Sequence, residues 1–372
     1  MSRHLVISAV NFSEGGPLTV LIDSIEAAAE TLGPEWEITA LVHDHSLIRN
    51  PRIRTIAFPQ SKLSWLTRLR LEWWDFRQLS KHIKPDLWLS LHDMTPRVMA
   101  RRQAVYCHNP SPFYKANLTE ARFDFRFFIF NKLYIYLYKA FIKKNHSVIV
   151  QSSWLRRAFL CETQHPNIIV AYPNRDAAPV RFDNFFPDNI RVPTKDFPLR
   201  LLYPSLPRVF KNFEVIMDAI KILPLNIMPL VDLRLTFDGT ENKWAAELAN
   251  RYRDTPGISL IGRQDRAQMT TEYEKCDAVL FPSRLETWGL PIMEAKAFNK
   301  PLLIADLPYA HETAGNYNNV SFAAADDAQP WSDAIVRMAH GTWEPQTHEA
   351  IEPEQPFMEN WPALWRHLVK GL

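Results

Sequence analysis

The chain has 372 residues, 47% of them apolar and 23% charged, enough for two domains of ordinary size and too apolar for intrinsic disorder. A net charge of +2, from 43 basic and 41 acidic residues, gives no overall attraction to nucleic acid, and no nucleic-acid partner is expected. Cys107, Cys161 and Cys276 are the three cysteines and form no CxxC pair, which excludes a disulfide scaffold or zinc ribbon and fits a reducing cytoplasm.

No uncharged apolar stretch reaches the roughly 18 residues of a membrane span. The run His4–Ile7 is too short for a signal peptide. From the N-terminus, Leu5–Val10 reads as a strand, followed by a turn with Gly15 and Gly16 and a helix over about Pro17–Thr31. Strands follow at Glu37–His43, Ile53–Ala57, Leu87–Leu91, Ala104–Cys107 and Ser147–Gln151, with helices filling most of the gaps. The alternation restarts at Arg200–Tyr203 with helix Phe213–Ile222, strand Asp232–Phe237 and helix Trp244–Arg253. Strands Ile258–Ile261, Ala278–Phe281 and Pro301–Ala305 then flank helices near Asp265–Glu274 and Pro291–Phe298. Such alternation predicts two doubly wound α/β halves with parallel sheets, which bind ligands at the carboxyl ends of their strands. The expected organisation is an N-terminal domain over 1–175, a linker over 176–198, a second domain over 199–345, and a C-terminal segment over 346–372 whose final helix begins at Trp361.

Glycine is scarce, 10 in all against 28 prolines, so each glycine carries information about tight backbone. The densest functional pattern is Glu286-Thr287-Trp288-Gly289-Leu290-Pro291, with Glu294 three residues on, placed after a buried strand and opening a helix. A helix start offers free N–H groups and the positive end of the dipole to an anion, and carboxylates beside it suit sugar and ribose hydroxyls. A capped surface helix with dipole-stabilising glutamates would give the same letters. Arg208 and Lys211 follow the first strand of the second half, where cations could neutralise the charge that develops on a departing diphosphate. Two solvated basic residues on a loop are the plainer alternative. His108 ends one strand of the first half, and His92 and Asp93 end another. Gly15-Gly16 is not the GxGxxG dinucleotide fingerprint, which disfavours a dehydrogenase.

The pattern from Glu286 through Glu294, its continuation to Glu312, and Leu201–Phe213 resemble the signature of family 4 retaining glycosyltransferases of the GT-B fold. That resemblance covers nearly the whole chain and is densest over 200–320. It implies a sugar transferred from a nucleoside-diphosphate donor to a glycan or polyprenyl-linked glycan, as in surface polysaccharide synthesis. It implies that Glu294 binds the donor ribose and that Glu286 lies by the donor sugar. Thr287, Trp288, Gly289, Leu290 and Pro291 would hold the diphosphate or sugar. Arg208 and Lys211 would contact the diphosphate, with Gly15 and Gly16 close by, while Gly262 and Arg263 would read the base. His108 would serve as a sugar contact or catalytic aid, and His92, Ser111, Tyr114 and Lys115 would shape the acceptor side. Phe298-Asn299-Lys300 departs from the usual Cys-Gly pair, and Trp288 stands where Phe is frequent; neither change removes a charged ligand.

No Asp-x-Asp triplet occurs. With cations and a helix start to neutralise phosphate, no metal and no other cofactor is expected. A nucleotide-sugar epimerase or hydrolase of the same fold, or a degenerate glycan-binding scaffold, remains an alternative. Two segments, Lys62–Trp74 and Arg122–Lys144, are rich in aromatic and basic residues. The second has nine Phe or Tyr, six Lys or Arg, and Asp124 as its single acid. Either could rest on an anionic membrane surface or pack on the sheet with its cations snorkelling to water.

Overall fold

The computed structural model describes residues 2–172 and 192–372. Among them run fourteen strands: β1 Arg3–Ser8, β2 Trp36–Val42, β3 Ile53–Ala57, β4 Leu87–Ser90, β5 Arg102–Cys107, β6 Ser147–Val150, β7 Ile168–Ala171, β8 Leu199–Tyr203, β9 Val231–Leu235, β10 Ile258–Leu260, β11 Ala278–Phe281, β12 Leu302–Ala305, β13 Val320–Ala323 and β14 Phe357–Met358. They form one sheet of eight strands, in the order β14-β7-β6-β5-β4-β1-β2-β3, and one of six, β10-β9-β8-β11-β12-β13. Every pairing is parallel. The strands β4, β6, β7, β11 and β12 are buried at every position, which is why they read as unbroken apolar runs rather than alternating ones.

Two compact units divide the chain: Met1–Phe113 with Asn131–Arg175 and Pro353–Leu372, and Tyr114–Phe130 with Asp176–Glu352. The eight-stranded sheet belongs to the first and the six-stranded sheet to the second. Sequence reading puts 114–130 in the first half, but its side chains pack in the second unit. Phe123 meets Trp244 at 4.7 Å, and Phe127 meets Phe210 at 5.1 Å. Of the expected linker, 176–191 lies outside the described residues. The strands β7, β13 and β14 were not anticipated.

In the first unit the final helix Trp361–Val369 packs on helix Gly15–Thr31. Trp361 and Trp365 are buried in one core with Leu21, Ile25 and Ala28. The Trp365 indole N–H donates to Ser24 O at 2.8 Å, so the ring is buried without an orphaned donor. Strand order reverses between β1 and β4 in this sheet and between β8 and β11 in the other. In open α/β sheets such reversals are where loops leaving the carboxyl ends of the strands diverge and ligands bind.

Candidate functional site

At the β8/β11 reversal two loops are tied together. Arg284 N donates to Phe210 O at 2.8 Å, and the Asn212 side chain donates to Pro282 O at 3.0 Å and Ala325 O at 2.5 Å. Asn212 can serve both because its backbone is left-handed, φ +58, a conformation asparagine tolerates. The β8 loop presents Lys211, whose carbonyl accepts the Tyr203 hydroxyl at 2.6 Å. Its ammonium forms an ion pair with Glu286 from the β11 loop and lies 5.7 Å from the ring centres of Phe210 and Phe281. Arg208 pairs with Asp124 at 3.1 Å and is 56% exposed. Both cations named from sequence are therefore held by carboxylates, one half-buried and one open to solvent.

Gly289 caps helix Leu290–Ala297 with φ +81. A Cβ there would lie 3.2 Å from Ile292 Cδ1, so a side chain is disfavoured by both backbone and space. Pro291 is the second helical residue, one place later than sequence reading put it. Glu294 falls in the second turn and accepts the Tyr273 hydroxyl at 2.7 Å; Tyr273 in turn stacks on Phe298 at 5.2 Å. The Glu294 carboxyl keeps access to solvent. The protein volume around it still raises its pKa above the usual range, opposed by Tyr273 and Arg266. Trp288 is buried and its carbonyl accepts from Thr313, while Thr287 is half-buried and Leu290 exposed. Gly262, φ +69, donates to Phe237 O at 3.2 Å beside exposed Arg263. Tyr114 belongs to this unit, with its hydroxyl donating to Glu120 and its ring 6.2 Å from Phe210, and Lys115 is exposed next to it.

The β1/β4 reversal of the first unit is built differently. Gly15, φ +65, opens helix Gly15–Thr31, with Gly16 following. Phe12 from the same loop meets His108 edge-on at 5.3 Å and His92 at 6.2 Å. His92 was expected as an acceptor contact, yet it is 1% exposed and Nδ1 lies 3.0 Å from buried Glu72. Arg68 donates to the His92 carbonyl at 2.9 Å. Enclosure corrects the expectation: His92 is a buried partner of Glu72, with no open face for an acceptor. Burial pushes the Glu72 carboxyl up to about 8 and holds His92 well below the usual histidine value, so both groups favour their neutral forms. Ser111 is buried too, its carbonyl accepting from the Asn131 side chain. His108 remains partly exposed, its Nδ1 3.6 Å from Asp93.

Sequence reading placed Tyr273 in the core, where it lies, but missed its bond to Glu294, along with Glu72, Arg68 and the pairing of Arg208 with Asp124. Glu72 did carry a signal, as a single acid between Leu71 and Trp73-Trp74. A carboxylate in so apolar a run needs a buried partner.

The architecture is that of GT-B glycosyltransferases, two parallel α/β sheets each with a reversal in strand order. Residues 190–352, within the second unit, match the family model described as glycosyl transferases group 1. Among curated proteins the chain is 28% identical over 134 residues to a glycogen synthase of Mycobacterium tuberculosis, covering 35% of this chain and 32% of that one. It is 36% identical over 63 residues to the O-antigen chain mannosyltransferase RfbU of Salmonella typhimurium, 17% of each. The matched part thus spans about a third or less of these relatives. Among solved structures it resembles sucrose-phosphate synthase of Thermosynechococcus elongatus, with TM-score 0.62, 17% identity and coverage of 91% and 90%. Anabaena HepE in complex with UDP-glucose gives TM-score 0.58 at 16% identity, covering 90% and 88%.

Proposed function

We propose that this protein is a retaining glycosyltransferase of family 4. It moves a sugar from a nucleoside-diphosphate donor of the UDP- or GDP-hexose type to a glycan or lipid-linked glycan, in surface polysaccharide synthesis and without a metal. One observation carries the reading: the β8/β11 reversal gathers Arg208, Lys211, Glu286, the Gly289 helix start and Glu294 within the segment that matches the group 1 model. The names of similar proteins supply the substrate class: O-antigen chains for RfbU and UDP-glucose for HepE.

In this reading Glu294 grips the ribose hydroxyls, its orientation fixed by Tyr273. The Gly289 turn lets backbone approach the diphosphate or sugar. As the bond from the anomeric carbon to phosphate oxygen breaks, its electron pair stays on the phosphate. Arg208 and Lys211 neutralise that charge after exchanging Asp124 and Glu286 for it. The acceptor hydroxyl attacks from the same face and gives its proton to the departing phosphate oxygen, so the anomeric configuration is kept. Glu286, released from Lys211, is free to accept sugar hydroxyls. His108 and its neighbours serve the sugar and acceptor.

Peripheral attachment at the cytoplasmic face of a membrane belongs to the same proposal. Helix Phe125–Lys139 turns Asn131, Tyr134 and Tyr138 inward and leaves Phe125, Ile129, Leu133 and Tyr136 exposed along one face. Leu63, Trp65, Leu66 and Trp74 are exposed as well, among Lys62 and Arg70. An apolar outer face with basic neighbours fits the interface of an anionic bilayer. No helix among the described residues is long and apolar enough to cross one. Co-sedimentation with vesicles containing phosphatidylglycerol, but not with phosphatidylcholine alone, is the expected result. Equal recovery with both would remove this part of the reading.

The central test is nucleotide release from UDP-, GDP-, dTDP- and ADP-sugars in EDTA, for wild type beside Arg208→Ala and Glu294→Ala. Release from one donor, insensitive to EDTA and lost in both variants, is expected. No turnover and no calorimetric binding of any donor would leave a glycan-binding scaffold as the better account.

A further inference from the structure

Asp93 follows β4 with a left-handed backbone, φ +68, unusual for a side-chain-bearing residue. Its Oδ1 accepts the backbone N–H groups of His108 at 2.7 Å and Asn109 at 3.1 Å, and the Tyr138 hydroxyl at 3.1 Å. The Tyr134 hydroxyl donates to Oδ2 at 3.4 Å. Burial and the Asp93 charge raise both phenols above their usual range, so both keep the proton they donate. Four donors surround one carboxylate that is 8% exposed, and the same Oδ1 stands 3.6 Å from His108 Nδ1.

That ring is wedged between Phe12 at 5.3 Å and Tyr106 at 6.2 Å. Nδ1 is sealed from solvent with no hydrogen-bond partner, while the side chain as a whole stays 16% exposed. The accessible part of His108 is therefore elsewhere than Nδ1, and the Asp93 carboxylate faces the sealed nitrogen at 3.6 Å. A histidine's tautomer is set by the bond its other nitrogen makes. Resting on the reading of His108 as a sugar-side residue, we propose that Asp93 is a positioning residue. It draws the proton of His108 to Nδ1, fixes the ring, and leaves Nε2 as an acceptor for a substrate hydroxyl. The 3.6 Å gap is of the kind that shortens when substrate closes a site.

The test uses the full chain with 15N-labelled histidine, His108 being assigned by difference from His108→Gln. Long-range proton–nitrogen spectra at mildly alkaline pH separate a protonated nitrogen from a bare one. Wild type should show His108 protonated at Nδ1 and bare at Nε2. Asp93→Asn keeps the left-handed turn, which asparagine tolerates, and removes the charge, so the population should move toward Nε2–H. With it, kcat for nucleotide release from UDP-glucose or GDP-mannose should fall about tenfold or more with KM little changed, the usual scale for a group that orients a histidine. Tyr138→Phe leaves the carboxylate in place and should keep the wild-type tautomer. A wild-type His108 protonated at Nε2, an unchanged tautomer or kcat in Asp93→Asn, or a tautomer shift in Tyr138→Phe would overturn the assignment. If Asp93→Asn does not fold, the wild-type and Tyr138→Phe spectra still decide the tautomer. If no donor is turned over, the transferase reading falls while the spectra still answer the structural question.

Discussion

The two sheets end in the same topological device and furnish it with opposite electrostatics. At the β1/β4 reversal Glu72 and His92 are sealed together, and Asp93 is sunk among tyrosine hydroxyls. At the β8/β11 reversal the charges are paired but reachable: Arg208 is 56% exposed, and Lys211 and Glu286 keep 17% and 15%. A buried pair cannot trade its partner for a ligand without stranding a polar group unpaired in low dielectric. A half-exposed pair can, because water covers the exchange. The first edge thus holds its side chains still, whereas the second, on the proposed function, lets carboxylates give way to phosphate.

The largest effect should come from the frame behind the first edge. Trp365→Ala removes a fully buried ring and its bond to Ser24; it should cost about 3–5 kcal/mol in denaturant unfolding. A loss under 1 kcal/mol would show that the final helix does not brace this sheet. Next, Lys211→Ala should lower donor turnover by about 10²–10³-fold, the scale for one donor to developing charge. It also leaves Glu286 unpaired, so Lys211→Ala/Glu286→Gln should recover stability without recovering turnover. Thermal melts and nucleotide release on the same samples separate the two.

Acidity gives a third contrast. Glu72 holds its proton to about 8 in the folded chain, against 4.5 for its ordinary value. Its contribution to stability is whole below about 4.5 and is lost as pH rises through about 8. The His92 value is lowered, so its contribution is present above about 6.5 and lost on acidification. Glu72→Gln should flatten the loss in melts taken from about pH 4.5 to about pH 8. An unchanged slope would mean that Glu72 is not the buried acid responsible.

A smaller effect is expected at Gly289. Gly289→Ala should cost about 1–2 kcal/mol for a side chain at positive φ, seen as a lower melting temperature and weaker UDP or GDP binding by calorimetry. Smallest is Asp124→Asn, which removes the carboxylate paired with Arg208 and, on the proposed function, a competitor of the donor phosphate. An exposed pair is worth about 0.2–1 kcal/mol, so nucleoside-diphosphate binding should tighten by up to about fivefold. Weakened binding would mean that Asp124 helps the donor rather than competing with it.

Much of this was legible along the chain. Unbroken apolar runs such as Ala278–Phe281 mark strands covered on both faces, and local chemistry explains why Gly289 and Pro291 open a helix after one of them. These are short-range matters of backbone sterics and burial, and they sufficed for the α/β class, most strands and the cluster at the β11 loop. Partnerships were not legible. Asp124 meets Arg208 and Glu72 meets His92 across 84 and 20 positions, and no periodicity encodes which side chains the crossovers bring together. The same holds for 114–130, whose aromatic run reads alike wherever it packs and joins the second unit through Phe123 and Phe127. Composition and spacing determined what kinds of residue end each strand. Only tertiary structure decided which charges were sealed and which were left open to exchange, because burial and pairing are properties of neighbours in space.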